Sequence, residues 1–394
     1  MRLLVVTNYY PPHFVGGYEL GCKDIVEALK ERDHSVDVLT SNYGATKAAG
    51  EPNVSRSLRL KSREKSFLQL AQNVVALTRA LVRAKPDVVY FWNQAGLSFW
   101  LAPFARMLGY RCVFFISDTS FVSWRIGAFL RRFLGSVPFW AKSKKLGNSF
   151  LMHGRSIIRG VHSQFSSSFL LRLCQNAGER EAGESTVIHW GIDPRIFAPS
   201  KFPTQHLSGL RLLCVGQIIP EKGVHTAIEA VAQLLASKAG NITLTIVGGT
   251  SKPSYLEELE NDVRKRNLAN AIQFVGKKER LELVQIYRSH DLLILPSVWE
   301  EPFAITPLEA MACGLAVVAT TTGGSSEIFR DRENSMVFPA GNASACAAAI
   351  AMIQTEPGLH ERIRQQGMND VATNFTLDRM VEKIEADLAA VAAV

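Results

Sequence analysis

Residues 292–319 read LLILPSVWEEPFAITPLEAMACGLAVVA. The stretch predicts a buried strand at Leu292–Leu295, a loop, a helix that begins at Pro307, and a second buried strand at Ala316–Ala319. Strands that are apolar along their whole length are typical of parallel sheets covered by helices on both faces. The stretch therefore predicts an α/β fold, and its loop lies at the carboxyl end of a strand, where such sheets bind ligands.

The same alternation of apolar strands and amphipathic helices continues through the second half of the chain. An amphipathic helix is predicted at Val224–Ala236. Further strands are predicted at Arg211–Val215, Thr243–Val247, Ile272–Val275 and Met336–Phe338.

The first half carries an alternation of the same kind. Its predicted helices are Glu19–Arg32, Phe67–Ala84 and Gln164–Ala177. Its predicted strands are Leu3–Thr7, Val36–Thr40, Val88–Trp92, Cys112–Ser117, Ile157–Val161 and Thr186–His189.

The restart of the pattern after a proline-containing stretch predicts two domains. We expect two Rossmann-like, doubly wound domains that face each other across a cleft. The first is predicted at 1–190 and the second at 210–375, with a linker at 191–209. A final helix is predicted at about 376–394.

The composition predicts a globular protein without a membrane-spanning segment. Hydrophobic residues make up 47% of the 394 residues and charged residues 20%, and no uninterrupted apolar run reaches about 18 residues. The six cysteines are far apart and form no C-x-x-C pair. We therefore expect a cytoplasmic protein with reduced cysteines, or one held peripherally at the inner face of the cell membrane.

The net charge of +8 is concentrated in the first half of the chain. Residues 1–200 hold 26 Lys and Arg against 14 Asp and Glu, and no acidic residue occurs between Asp118 and Glu179. Such a basic surface attracts phosphate, nucleic acid or an acidic lipid leaflet. Bulky apolar residues among the basic ones at 124–172 favour contact with an anionic membrane, and a core helix with a solvated charged face is the alternative. No nucleic-acid-reading module is present, so we expect no nucleic-acid partner.

Two loops that contain glycine follow predicted strands and lead into helices. Gly16 and Gly17 allow backbone N–H groups to approach an anion at a positive helix terminus, although a flexible connection also needs glycine. In the loop from Gly216 to Gly223, Lys222 lies at a helix start, where the helix dipole disfavours a cation unless an anion is beside it. An exposed lysine that tolerates this small penalty is the alternative.

Two carboxylates lie eight residues apart in the stretch quoted first. Glu301 falls in the loop and Glu309 in the first helical turn, so both can accept hydrogen bonds from one polyhydroxylated ligand. For Glu309 the alternative is a capping box with Thr306, and for Glu301 it is an ordinary exposed loop position. Two glycine pairs, Gly248–Gly249 and Gly323–Gly324, follow predicted strands of the same sheet. Each pair could supply backbone donors to a ligand, and a plain turn is the alternative.

Taken together and in this order, these segments resemble the family-4 retaining glycosyltransferases of the GT-B fold, also described as glycosyl transferases group 1. The resemblance also rests on the Ser163 segment, on His189-Trp190-Gly191-Ile192-Asp193 with Phe197, and on Phe274-Val275-Gly276. It implies an enzyme that transfers a hexose-type sugar from a UDP- or GDP-sugar, in the synthesis of cell-surface polysaccharide or glycolipid. The acceptor would be a hydroxyl of a glycan, a lipid-linked molecule or a small molecule. The resemblance also implies that the final helix, at about 376–394, crosses back onto the first domain.

The resemblance implies roles for single residues. Lys222 would bind the donor diphosphate, Glu309 the ribose, and Glu301 the hydroxyls of the transferred sugar. Gly276 would lie beside the nucleotide base, and Lys222, Glu301 and Asp118 would form the catalytic set. The full donor-binding set is Gly16, Gly17, Gly216, Gln217, Lys222, Gly248, Gly276, Glu301, Phe303, Ala304, Ile305 and Glu309.

Three positions depart from the family pattern. Gln217 stands where many relatives carry arginine, Ser117 precedes Asp118 where histidine is frequent, and Ala304 replaces a usual glycine. The first change removes a positive charge from the diphosphate site, and the last narrows the space beside the sugar. An altered donor and a loss of activity both remain open on these grounds.

The sequence implies no metal site and no cofactor other than the nucleotide diphosphate sugar, which is the donor substrate. It contains no D-x-D pair suited to a metal. Lys222, Gln217 and backbone N–H groups at helix N-termini would instead stabilise the leaving phosphate. The resemblance implies a retaining front-face displacement, in which the departing phosphate takes the acceptor's proton. A nucleotide-sugar epimerase of the same shape and a binding protein without catalysis are the competing interpretations.

Overall fold

The computed structural model describes residues 1–44, 51–60, 66–97, 100–119, 161–176, 185–200, 209–238 and 240–393. The chain divides into two compact units. The first unit comprises Met1–His189 and Met380–Val394, and the second comprises Trp190–Arg379. The described residues of the segment predicted as a linker, 191–200 and 209, lie within the second unit.

Within the described residues, the first unit contains a parallel sheet of seven strands in the order β3-β2-β1-β4-β5-β6-β7. These strands are β1 Arg2–Val6, β2 Ser35–Ser41, β3 Val54–Leu58, β4 Val88–Phe91, β5 Arg111–Ile116, β6 His162–Phe165 and β7 Ser185–Val187. The helices are α1 Gly17–Glu31, α2 Ser66–Ala84, α3 Leu101–Met107 and α4 Ser168–Asn176.

The second unit contains a parallel sheet of six strands, again counted over the described residues, in the order β10-β9-β8-β11-β12-β13. These strands are β8 Leu210–Val215, β9 Ile242–Val247, β10 Ile272–Phe274, β11 Leu292–Leu295, β12 Ala316–Ala319 and β13 Met336–Val337. The helices are α5 Val224–Ala236, α6 Pro253–Lys265, α7 Arg280–Arg288, α8 Thr306–Ala312, α9 Ala343–Thr355, α10 Leu359–Asn374 and α11 Leu377–Ala393, the last of which belongs to the first unit from Met380 onward.

The central strands of both sheets are buried on both faces. Every residue from Leu3 to Val6 in β1 is inaccessible to solvent, and β11 and β12 are buried along their whole length. Because a strand covered by helices on both sides needs apolar residues at every position, a continuous apolar run folds in this way. The predicted α/β class with two doubly wound parallel sheets is confirmed.

The sequence-based prediction was wrong at the start of the helix predicted at Gln164–Ala177. Residues 157–160 of the strand predicted at Ile157–Val161 lie outside the described residues, and the strand of the structure is His162–Phe165. It includes the start of the helix predicted at Gln164–Ala177, which begins only at Ser168. The polar residues Ser163 and Gln164 are buried in this strand, and Tyr90 donates a hydrogen bond to Gln164. Buried polar side chains are tolerated in a strand when they have hydrogen-bond partners inside the fold. Such a strand lacks the apolar run from which strands are predicted.

Two elements of the first unit were not predicted. The edge strand β3 reads VSRSL and is mostly half-exposed, so it lacks an apolar run. The short helix α3 carries a proline, Pro103, within its first turn. Residues 124–160 of the basic segment at 124–172, which is predicted to touch a membrane, lie outside the described residues. Among the described helices, none combines the length and the apolar content needed to cross a membrane.

Candidate functional site

The loops that follow β8 and β11 lie against each other. Strand order reverses between these two neighbouring strands, which is the position where doubly wound sheets bind ligands. Gly223 has a φ of +67°, and a Cβ added there would lie 1.9 Å from the carbonyl oxygen of Pro296. The backbone N–H of Val298 donates to the carbonyl of Glu221 at 3.0 Å. Only glycine at position 223 allows this close approach of the two loops.

This approach brings Lys222 and Glu301 into contact. The Lys222 Nζ donates to Glu301 Oε1 at 2.7 Å and to Oε2 at 2.9 Å, and Ser297 Oγ donates to the same Oε1. The Glu301 side chain is 4% exposed and that of Lys222 is 28% exposed. The Lys222 ammonium also lies 5.5 Å from the centre of the Trp299 ring. Glu301 is therefore not the exposed loop residue that the alternative interpretation described.

The ion pair between Lys222 and Glu301 changes the interpretation of Lys222 as a lysine that needs an anionic ligand at a helix start. This residue ends a 3₁₀ turn, Pro220–Lys222, immediately before α5. The anion that offsets the positive end of the helix is Glu301, supplied by the chain itself. The position of Lys222 therefore does not require a phosphate. It provides a partly accessible cation whose present anionic partner is a buried carboxylate.

The loop after β12 holds the backbone of the Glu301 loop. Gly324 N–H donates to the carbonyl of Glu301 at 2.7 Å, and Thr320 Oγ1 donates to the carbonyl of Ser297 at 2.8 Å. Thr320 and Ser297 are both buried. The Glu301 carboxylate is thus fixed through its backbone on one side and through Lys222 on the other.

The loops after β8, β9 and β10 are joined in the same way. Gly248 N–H donates to the carbonyl of Gly276 at 3.0 Å, and Ile218 N–H donates to the carbonyl of Gly249 at 2.9 Å. A Cβ added to Gly248 would lie 1.7 Å from the carbonyl oxygen of Gly216. The predicted donor-binding glycines of the second unit therefore share one edge of the sheet, where Gln217 is exposed to solvent.

Glu309 has a different partner, which the sequence did not indicate. Helix α8 begins at Thr306 with Ile305 at the N-cap and has no side-chain capping hydrogen bond, so the capping box was wrong. Instead, Glu309 Oε2 accepts a hydrogen bond at 2.8 Å from the hydroxyl of Tyr287, a fully buried residue of α7. Burial and the Glu309 carboxylate raise the pKa of Tyr287, so its phenol stays protonated and donates.

The predicted donor-binding residues between the two glutamates are mostly buried. The Phe303 ring is 6% exposed and lies 6.1 Å, centre to centre, from the Phe375 ring. Ala304 is 7% exposed, and Ile305 is the half-buried N-cap of α8. A ligand contact from Phe303 or Ala304 is therefore expected from the backbone and not from the side chain.

The remaining predicted site residues, Gly16, Gly17 and Asp118, belong to the first unit. At the start of α1, Gly16 N–H donates to Glu19 Oε2 at 2.8 Å, and burial raises the pKa of Glu19. A Cβ added to Gly16 would meet no atom within 4 Å, so open space surrounds that position. Burial and the nearby Asp118 carboxylate raise the pKa of Tyr18, which is in the same first turn.

Sequence reasoning missed Ser297 and Tyr287, whose hydroxyls bind the two predicted carboxylates. One signal was available for Tyr287, because a tyrosine on the buried face of a helix needs a partner for its hydroxyl. No comparable signal marked Ser297. Within the part of the chain that the structure describes, no group of three or more His, Cys, Asp or Glu residues is arranged to hold a metal ion.

Two family models match the chain. The model described as "Glycosyl transferases group 1" matches residues 201–370, and the model described as "Glycosyl transferase 4-like domain" matches residues 16–141. An uncharacterised glycosyltransferase of Methanocaldococcus jannaschii is 25% identical over 97% of this chain and 96% of its own. Glycogen synthase of Mycobacterium tuberculosis is 25% identical over 95% of this chain and 91% of its own. The solved structure of Anabaena HepE in complex with UDP is similar with a TM-score of 0.74 at 19% identity, over 99% of this chain and 100% of that one, which shows a shared fold.

Proposed function

Since the chain belongs to the glycosyl transferases group 1 family, we propose that it moves a hexose-type sugar from a nucleotide diphosphate donor to a hydroxyl acceptor with retention of configuration. The proposal depends on one observation, the contact between Lys222 and Glu301 at the reversal of strand order. An ammonium group donates charge-assisted hydrogen bonds to a diphosphate, and a carboxylate accepts them from sugar hydroxyls. A nucleotide sugar presents both groups a few bonds apart.

Donor binding then exchanges one anion for another at Lys222. The diphosphate carries more negative charge than a carboxylate, so the partly exposed ammonium turns from Glu301 to the phosphates. The released oxygens of Glu301 accept hydrogen bonds from the sugar, while Ser297 continues to hold one of them. Backbone N–H groups of the surrounding glycine loops add donors for the phosphates.

In the proposed reaction, the acceptor oxygen bonds to the anomeric carbon on the face from which the phosphate departs. The bond between that carbon and the phosphate oxygen breaks, and the departing phosphate takes the acceptor's hydroxyl proton. Lys222 and the loop N–H groups stabilise the negative charge that develops on the leaving group, so we propose that the reaction is independent of a metal ion. In the first unit, Gly16 and Gly17 are proposed to bind phosphate and Asp118 to bind sugar or acceptor.

Two relatives indicate which substrates to test first. The HepE structure contains UDP, which makes UDP-sugars the first donors for this chain. The name of glycogen synthase gives a polysaccharide as the product of that relative, and this favours a glycan acceptor for this chain.

Incubation with UDP- and GDP-sugars, with and without glycan acceptors, tests the proposal. We expect nucleotide release that requires an acceptor, and NMR of the product should show the anomeric configuration of the donor. An isomerised donor without transfer would indicate an epimerase, and binding with neither outcome would indicate a binding protein. A product of inverted configuration would contradict the retaining mechanism alone.

Replacement of Tyr287 by phenylalanine tests the proposed role of Glu309. The change removes the 2.8 Å hydrogen bond that orients the carboxylate, and hydrogen bonds to charged groups contribute roughly 1.5–3 kcal/mol. We expect UDP to bind roughly tenfold more weakly by calorimetry. The matched ligand is 2′,3′-dideoxy-UDP, which lacks the ribose hydroxyls and should bind equally to both forms of the protein. Equal weakening for both ligands would show that Glu309 does not bind the ribose.

A further inference from the structure

The first unit has a surface that the proposed reaction does not use. Helix α2 packs beside the edge strand β3, and a groove of about 580 Å³ runs between them. Ser55, Ser57 and Arg59 line it from the strand side, and residues including Gln72, Arg79 and Arg83 line it from the helix. We call this surface the α2–β3 face.

The α2–β3 face is positively charged. Arg59, Arg79 and Arg83 line the groove, and no acidic residue is among the described residues that line it. Arg83 is paired with Asp37 at 3.1 Å, whereas Arg79 is exposed and has no hydrogen bond or ion pair with any described residue. The sequence of α2 contains no Asp or Glu from Ser66 to Ala84. The face therefore suits an anionic partner.

An apolar stripe lies on the same helix. Leu68, Val75 and Val82 are 56%, 48% and 65% exposed. Their spacing of seven residues corresponds to about two helical turns, so all three lie on one side of α2. Single exposed apolar residues are common, but a row of three beside arginines on a helix without acids is typical of helices that lie in a membrane interface.

We propose that the α2–β3 face binds an anionic lipid bilayer. The stripe enters the boundary between headgroups and acyl chains, and the arginines pair with lipid phosphates. A soluble polyanion would satisfy the arginines and leave the three apolar side chains in water, so the stripe favours a bilayer. None of the residues that form this face belongs to the sequence segment at 124–172, and the role of the face does not depend on the proposed sugar transfer.

Co-sedimentation of the full chain with vesicles tests the proposal. We expect binding to vesicles of phosphatidylcholine mixed with phosphatidylglycerol, little binding to phosphatidylcholine alone, and weaker binding as salt increases. The double variant Arg59→Gln/Arg79→Gln should lower partitioning about thirtyfold, which corresponds to about 1 kcal/mol for each basic residue near the surface. The double variant Val75→Ser/Val82→Ser should also lower it, because it removes the apolar contact.

Matched controls lie in the second unit. Arg264→Gln/Lys265→Gln removes the same charge from exposed positions of α6, and Leu281→Ser removes an apolar side chain that is 73% exposed. Both should leave partitioning unchanged, and circular dichroism should show every variant folded. Equal losses in the control variants would overturn the proposal. So would binding to a soluble polyanion without any sedimentation on anionic vesicles.

Discussion

Replacing Lys222 by alanine is expected to lower turnover by roughly 10²–10³, by analogy with the loss of an oxyanion donor. The ammonium is the group proposed to neutralise the departing diphosphate, and Gln217 carries no charge that replaces it. Steady-state assay with the donor identified in the nucleotide-sugar panel measures the effect. Because the interaction grows as the leaving group gains charge, the loss should fall mainly on kcat.

Two further variants separate catalysis from folding. Loss of Lys222 leaves the buried Glu301 carboxylate without its cation, which also destabilises the protein. The double variant Lys222→Ala/Glu301→Gln removes that unpaired charge, so it should regain thermal stability while remaining inactive. Lys252→Ala is the matched single variant, since Lys252 forms a 2.9 Å ion pair with Glu221 in a neighbouring loop and is exposed. It should keep wild-type turnover. Wild-type turnover in Lys222→Ala would contradict the assigned role.

Gly223→Ala is expected to destabilise the protein by roughly 2–4 kcal/mol and to abolish most activity. The new Cβ would lie 1.9 Å from the carbonyl oxygen of Pro296, at a backbone φ of +67° that alanine adopts with strain. The loops after β8 and β11 must then separate, which moves Lys222 away from Glu301. Thermal unfolding measures the first effect and the transferase assay the second.

Gly358→Ala provides the control for Gly223→Ala. Gly358 has a φ of +75°, and a Cβ there would meet nothing within 4 Å. Its replacement therefore carries only the cost of the left-handed conformation, about 1–2 kcal/mol. The difference in stability loss between the two variants measures the effect of the clash with Pro296. Equal loss of stability would show that the loops are not held together by that contact.

The bounds of strands and helices could be predicted where burial alone determines which residue types a segment contains. The strands Leu292–Leu295 and Ala316–Ala319 and the helix Val224–Ala236 have the predicted bounds, because each presents an uninterrupted apolar run or face to the core. Prediction was wrong at His162–Phe165, where the buried side chains are polar and depend on partners elsewhere in the fold.

The site was predictable as a set of loops but not as a set of contacts. Strand ends followed by glycine placed Lys222 and Glu301 at the edge of one sheet, yet their pairing joins residues 79 apart in sequence and depends on the strand order. The contact between Glu309 and Tyr287 joins residues 22 apart in sequence on two different helices, α8 and α7, so it depends on where the fold places these helices. Glycine is required at position 191, in the His189–Asp193 segment that resembles the family, because a Cβ there would lie 2.1 Å from the carbonyl oxygen of Thr376.

A crystal structure of the protein with UDP would show directly whether Lys222 leaves Glu301 to bind the donor diphosphate. We expect density for the diphosphate at the loops that follow β8 and β11, with Lys222 Nζ within hydrogen-bond distance of a phosphate oxygen and withdrawn from Glu301. UDP bound at another place, with the Lys222–Glu301 pair intact, would contradict this expectation.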